Sequence, residues 1–258
     1  MTAPVSMTDV AISVGLVVVA MVVSWRRKVG LEQDMLVATV RSFVQLIAVG
    51  YVLEFVFGGH GALTIGVLLV MVGTATLTSG SRARRVPHAR KIAAVSVTAA
   101  AVATLGFLTL LGIVPTAARA VVPIGSMIIS AAMNTTSLVM MRLHDDLAAN
   151  RREVEARLSL GETSHEAAAP WHRAALRHGM LPSVDQTKVV GLVALPGAMT
   201  GLILAGASPF EAVRLQLVVM YMLLGGSAFA ALVAGELTVR RLFTPAHQLI
   251  RSLRRTPS

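Results

Sequence analysis

Apolar residues fall in long blocks along this chain, and the charged residues gather in the segments between them. A helix needs roughly 20 residues to cross the hydrocarbon core of a bilayer, and seven blocks fit that requirement. They run over Val10–Ser24, Met35–Phe57, Ala62–Thr78, Ile92–Val114, Val121–Met141, Val189–Ala205 and Val213–Leu237. The first and sixth are short, and the sixth carries Pro196. The pattern predicts an all-α, polytopic transmembrane bundle of about seven spans, forming a single domain over residues 1–258. The one sizeable aqueous segment is 142–188.

Composition agrees with a bilayer as solvent. Hydrophobic residues make up 55% of the chain and charged residues 14%, against about 25% charged in an ordinary soluble domain. The net charge of +10 does not form one basic domain, which argues against a nucleic-acid partner. All but Arg41, Arg119 and Arg214 of the 23 Lys and Arg lie on alternate connections: 26–28, 82–91, 142–188 and the tail from Arg240 to Arg255. Positive residues mark the cytoplasmic face, so the N-terminus is expected outside and the C-terminus inside, in a multi-pass protein of the inner (plasma) membrane. Met1 to Asp9 contains no Lys or Arg, unlike the positive start of a signal peptide, so the first block is expected to stay as a span. The chain has no cysteine, which removes disulfides and thiolate metal sites.

The 142–188 segment has helix signals of its own. Leu143, Leu147, Val154 and Leu158 recur at roughly helical spacing, predicting a helix from Arg142 to Leu158 that Gly161 ends. Thr163 with Glu166 three residues on is a capping-box pattern, opening a short helix through Ala167–Ala169 that Pro170 should stop or kink. A further apolar-faced piece holds Trp171, Ala175 and Met180, and Ser183–Gln186 is a second such box. The expectation is a helical hairpin lying across the cytoplasmic face. Its small, exposed, Ala-rich helix either stiffens a solvated connector or enters a partner's groove.

Polar residues inside spans are costly and mark candidate function. Arg41 and Gln45 sit one turn apart on the second span; Ser126, Ser130, Asn134 and Ser137 form one stripe on the fifth, with Thr135 and Thr136 at the same end. Either this stripe bonds neighbouring helices or it is the wet wall of a pathway. In the sixth span Pro196 and Gly197 should loosen the helix beside Met199 and Thr200, and Gln216 lies on the seventh. No metal-ligand pattern is present in the spans: the seven His lie in or beside loops, and no His-x-x-x-His pair occurs. There is no phosphate-binding Gly-x-x-x-x-Gly-Lys-Ser/Thr loop, Ser-His-Asp arrangement or His-Glu-x-x-His motif. The weight falls on transport and not on catalysis.

Four runs carry a family resemblance: Arg41–Leu46, Met133–Thr136, Leu158–Thr163 and Val189–Gly201, the last containing Leu195-Pro196-Gly197-Ala198-Met199-Thr200-Gly201. They resemble the FetB-type (YbbM-like) ABC permeases over nearly the whole chain. The resemblance implies a permease, expected to be a homodimer, paired with a separate ATP-binding subunit that holds the ATP and Mg. It also implies iron export, with this chain carrying no cofactor. Gly161 to Ala168 is similar to the Glu-Ala-Ala loop that docks ABC permeases on their ATPase, which places coupling on Gly161, Thr163, Glu166, Ala167, Ala168 and Trp171. The expected pathway residues are Arg41, Gln45, Ser126, Ser130, Asn134, Thr135, Pro196, Gly197, Met199, Thr200 and Gln216. Two alternatives stay open: a carrier or channel that needs no ATPase, and an ABC permease for another solute such as a nucleotide sugar.

Overall fold

The computed structural model describes residues 6–58, 61–192, 195–250 and 253. His60, residues 193 and 194 of the sixth expected span, and Arg251, Arg254 and Arg255 of the tail lie outside the described residues. Among those described there is no strand, and the chain divides into two compact units, Met1–His60 and Gly61–Ser258.

The first unit is a pair of helices, α1 (Met7–Arg27) and α2 (Glu32–Phe57). Ser6 and Asp9 form a reciprocal capping box that satisfies amide groups at the start of α1. At its end Lys28 adopts the left-handed conformation and donates its N–H to the carbonyls of Ser24 and Trp25. Arg26 and Arg27 sit in the last turn, where the helix dipole favours cations. The turn is closed by Ser24 Oγ, which donates to Glu32 Oε1 at 2.8 Å.

The second unit contains α3 (Gly61–Arg82), α4 (Ala89–Leu110), α5 (Ala118–Ala149), α6 (Arg151–Ser159), α7 (Ser164–Val189), α8 (Gly197–Leu204) and α9 (Pro209–Leu242). Helices α5 and α9 form its centre, and α3, α4 and α7 pack around them. One buried cluster between α3, α4, α5 and α9 is made, apart from Ile129, of small or slim residues: Ala75, Val97, Ala100, Ala132 and Ala230. Such residues let helix backbones approach closely, which is how helices associate where lipid is no less apolar than a side chain. Ser137 Oγ donates to Ser79 Oγ at 3.0 Å, joining α5 to α3 inside the bundle.

Among the described residues six helices are long and apolar enough to cross a bilayer: α1, α2, α3, α4, α5 and α9. They correspond to six of the seven expected spans, five of them wholly inside a helix and the fourth, Ile92–Val114, ending four residues early at Leu110. The remaining stretch, Val189–Ala205, is a correction to the sequence reading because it is not one helix. Helix α7 ends at Val189, Gly191 turns the chain at φ 82°, and α8 begins only after Pro196, its N-cap. A left-handed glycine and a proline that lacks an N–H both break a helical ladder. The 8 residues of α8 extend about 12 Å, well short of the hydrocarbon thickness.

The 142–188 segment is also corrected. It is not a hairpin lying across a face, for its second half is the single helix α7, which runs lengthwise against α5 and α9. Pro170 and Pro182 both lie inside it without ending it. Packing outweighs their cost of about 3 kcal/mol each, because Ala167, Ala168, Ala175 and Gly179 are all buried in the helix interface. Ser183 opens no new helix: its hydroxyl pairs with Ser227 Oγ of α9 at 2.6 Å, and its carbonyl accepts from Thr187 Oγ1. The first half agrees more closely with expectation. Helix α5 continues through Ala149 and breaks at Asn150, and α6 ends at Ser159, just before Gly161 with its φ of 95°.

Two glycines permit the α7 contacts. A Cβ on Gly179 would collide with Val139 of α5 and come within 3.3 Å of the Thr135 carbonyl. A Cβ on Gly235 of α9 would press on Leu176 at 2.7 Å and on the ring of His172. Burial pushes the His172 imidazole below its ordinary pKa of 6.5; nearby His165 adds to this, and Glu236 opposes it. The neutral ring is therefore the form that the packed α7–α9 contact prefers.

Gly179→Val is expected to destabilise the α5–α7 contact by about 1–3 kcal/mol, read as a lower melting temperature of the detergent-solubilised protein. Gly197→Ala, with nothing within 4 Å of the new methyl, should leave that temperature unchanged. The His172 contribution should be complete above about pH 6.5 and be lost as the pH falls through and below that value. Amide exchange along α7 should accordingly accelerate on acidification, and His172→Gln should remove that acid response.

Candidate functional site

Two regions hold the candidate residues of the second unit: the N-terminal end of α7, and the polar positions along α5, α8 and α9. The start of α7 has the predicted capping box. Thr163 donates its N–H to Glu166 Oε2 at 2.8 Å and its hydroxyl to the same oxygen at 2.7 Å, while the Glu166 N–H donates to Thr163 Oγ1. These bonds, the backbone one foremost, hold the exposed Glu166 carboxyl below the usual carboxylate range. Gly161 is exposed at the turn before it. Trp171 is half-buried beneath the Arg157 guanidinium, which stands 5.6 Å from the ring centroid.

Ala167 and Ala168 are not the exposed face that the sequence suggested. Both are 0% exposed, packed with Leu143, Leu147, Val239, Leu242, Leu249 and Leu253. The outer face of this helix start is made instead by Thr163, His165 and Glu166.

Sequence reasoning missed the bonds that hold this helix start from the side. His165 Nε2 lies 2.9 Å from Glu236 Oε2, and Arg240 Nε donates to Glu236 Oε1 at 2.8 Å. Ser164 N–H donates to His247 Nδ1 at 3.1 Å, with Ser164 Oγ 2.8 Å from the same nitrogen. His247 reaches it from the segment beyond α9, which folds back through an isolated antiparallel bridge between Phe243 and Leu249. The available sequence signal was the apolar pair Leu249 and Leu253 in an otherwise basic tail. It marks a packed segment but names no partner.

The fifth-span stripe divides. Asn134 is exposed, and its Oδ1 accepts from Arg82 Nη1 of α3 at 2.8 Å. Ser130 is exposed, Ser126 is half-buried and donates to the Pro123 carbonyl, and Thr135 and Ser137 are buried in helix contacts. One end of the stripe is thus packing and the other is open. Met199 and Thr200 are half-buried on α8, which packs against α9, and Thr200 Oγ1 donates back to the Pro196 carbonyl at 3.2 Å. Gly197 is exposed in the first turn of α8. Gln216 is buried on α9 at 6% exposure, and its Oε1 accepts no hydrogen bond among the described residues. A buried amide oxygen left so costs about 1–3 kcal/mol, which makes Gln216 the most conspicuous polar group of this helix. Arg41 and Gln45 belong to the first unit, where both are exposed one turn apart on α2. Among the described residues no group of three or more His, Asp or Glu is placed to hold a metal ion.

Comparison with known proteins bears on this arrangement. Residues 7–243 match the model of the uncharacterised protein family UPF0014. The chain is 42% identical over 234 residues to the UPF0014 membrane protein STAR2 of Oryza sativa subsp. japonica, covering 90% of this chain and 82% of that protein. It is 37% identical to the protein ALUMINUM SENSITIVE 3 of Arabidopsis thaliana, over 94% of this chain and 89% of that one. To the probable iron export permease protein FetB of Escherichia coli (strain K12) it is 35% identical, over 94% of both chains. No solved structure matches. With its long apolar helices and a family match over residues 7–243, this multi-pass membrane protein belongs to the UPF0014 family.

Proposed function

We propose that this chain is the membrane-spanning half of an ATP-driven exporter whose ATP-binding subunit is a separate protein, and that two copies of the chain form the pathway. The observation that carries the reading is α7. It starts with a capped, exposed turn outside the long apolar helices and runs unbroken for 26 residues, about 39 Å. It is bonded to α9 in its last third at Ser183–Ser227 and ends at the break before α8. A push on its first turn is therefore delivered to the interrupted crossing. Breaks of this kind are tolerated at membrane depth only against protein or water, and they mark solute sites in many transporters.

In this reading the basic end of the bundle faces the cytoplasm, the membrane is the inner (plasma) membrane, and Gly161, Thr163, Glu166 and Trp171 shape the docking turn. Ala167 and Ala168 serve it from behind, as the packing that makes α7 move as one body. Ser130, Asn134, Thr200 and Gln216 are the pathway candidates of the second unit, and Arg41 and Gln45 on α2 are those of the first. Iron as the cargo is supported by the name of the Escherichia coli relative. The lack of a ligand cluster within the described residues favours transient contact with the metal over a resident site.

The test is ATP-dependent iron accumulation in inside-out vesicles containing this chain with its candidate ATPase. Uptake that requires both proteins and hydrolysable ATP is the expected result. ATP hydrolysis without iron uptake removes iron and keeps the permease, whereas failure of the two chains to associate leaves the ATPase-independent carrier as the better account. Glu166→Arg should leave ATP hydrolysis in place and abolish uptake. Ala167→Trp should fail earlier, by lowering the yield of folded protein.

A further inference from the structure

The segment after α9 is a built part of the fold. Beyond the Phe243–Leu249 bridge, Thr244 N–H donates to the Gln248 carbonyl at 2.7 Å and Ile250 N–H to the Leu242 carbonyl at 3.0 Å. Phe243, Leu249 and Leu253 are buried in the same apolar cluster as Ala167 and Ala168. His247 sits at the tip of this loop with φ 52°. That left-handed conformation is uncommon for a residue with a Cβ, and it aims Nδ1 at the first amide of α7. Because a backbone N–H can only donate, Nδ1 is the acceptor and the ring proton belongs on Nε2, facing away from Ser164.

The folded-back segment and the first turn of α7 border an open pocket of about 700 Å³, which Pro87 and His88 also line. Val239, Pro245 and Ile250 give it apolar walls, and Arg240, Arg241, His88, His165 and His247 supply polar and cationic groups. Among the described residues of the lining the one acid, Glu236, is already committed to Arg240 and His165. The Arg241 guanidinium is exposed and makes no ion pair among the described residues. What remains uncompensated is positive charge over an apolar floor, next to the turn assigned above to docking.

We infer that the 243–250 segment and the first turn of α7 form one composite socket, and that it seats an acidic segment of the ATP-binding partner, with Arg241 as the principal charge and His247 fixing the socket to α7. This rests on the proposed function, since it takes the ATPase as the partner. It goes beyond that reading by giving the C-terminal segment a recognition role and the partner's segment a charge. The alternative occupant of a basic surface at this end is an anionic lipid headgroup, and the test separates the two.

Full-length chain in nanodiscs is measured for binding of its candidate ATPase, both in purely zwitterionic lipid and with anionic lipid added. Arg241→Glu is expected to weaken binding at least about tenfold in either lipid, and reversal of one acid to Lys on the partner's contacting segment should restore it. Arg152→Glu, an exposed charge reversal outside the socket, should bind as the unaltered protein does. His247→Ala should also weaken binding and should speed amide exchange at the start of α7, with the melting temperature held. The inference is overturned if Arg241→Glu binds normally, if Arg152→Glu weakens binding equally, or if the Arg241→Glu defect occurs only with anionic lipid. If the unaltered chain binds no ATPase in either lipid, the proposed function itself falls and the socket falls with it.

Discussion

The burial of α7 along α5 and α9 is the contact on which the second unit depends, and it rests on the absence of two side chains. At Gly179 and Gly235 any Cβ would meet a neighbouring helix. With those positions bare, α7 approaches closely enough to bury Ala167, Ala168 and Ala175 completely. That close approach is what two internal prolines are set against, and the helix survives both. It also carries the Ser183–Ser227 hydroxyl pair into the bundle, where an unpaired hydroxyl would cost more than in water. The same packing explains why the neutral imidazole of His172 is preferred: it sits where a charged ring would lose hydration without gaining a full ion pair.

The interrupted crossing follows from local chemistry set against this rigid helix. Helix α7 runs to Val189; Gly191 then takes the left-handed conformation and Pro196 can donate no bond to continue a helix. The 8-residue α8 restarts beyond it and packs on α9. The described residues of a stretch with the composition of a span thus give a turn at 191–192 and the short α8. Such irregular backbone is stable in a membrane protein where other protein or water covers it, and α9 supplies part of that cover.

Much of this was legible in the sequence. The six continuous spans were visible because a 20-residue apolar block has few other uses, and the capping box at Thr163 and the glycine stop at Gly161 were visible because their signals are local. The course of α7 was not. Pro170 and Pro182 carry a strong local signal against a helix, and the contrary evidence is tertiary: glycines on α7 and α9 whose value appears only when the helices are placed together. The exposure of Ala167 and Ala168 was misjudged for a related reason. An alanine pair reads the same whether it faces a partner or the chain's own Leu249 and Leu253, and the tail that covers it lies some eighty residues further on. The serine and asparagine stripe of α5 was correctly seen as a stripe. Its partition between packing and open surface depends on α3 and α7, which the helical period of α5 alone does not contain.

The burial of those alanines changes how force would enter the bundle on the proposed reading. A helix whose inner face is free can be lifted away from the protein that carries it, and the motion then ends locally. Here the inner face of α7's first turns is locked to α5, α9 and the folded-back segment, with Ser164 and His165 bonded sideways to His247 and Glu236. A partner pressing on Thr163 and Glu166 therefore has no loose element to displace. The load passes along the axis of α7, whose helical turns run past both prolines to Val189 and give way at the left-handed Gly191. Docking surface and broken crossing are then two ends of one rod, which is the arrangement that alternating access across a fixed site requires.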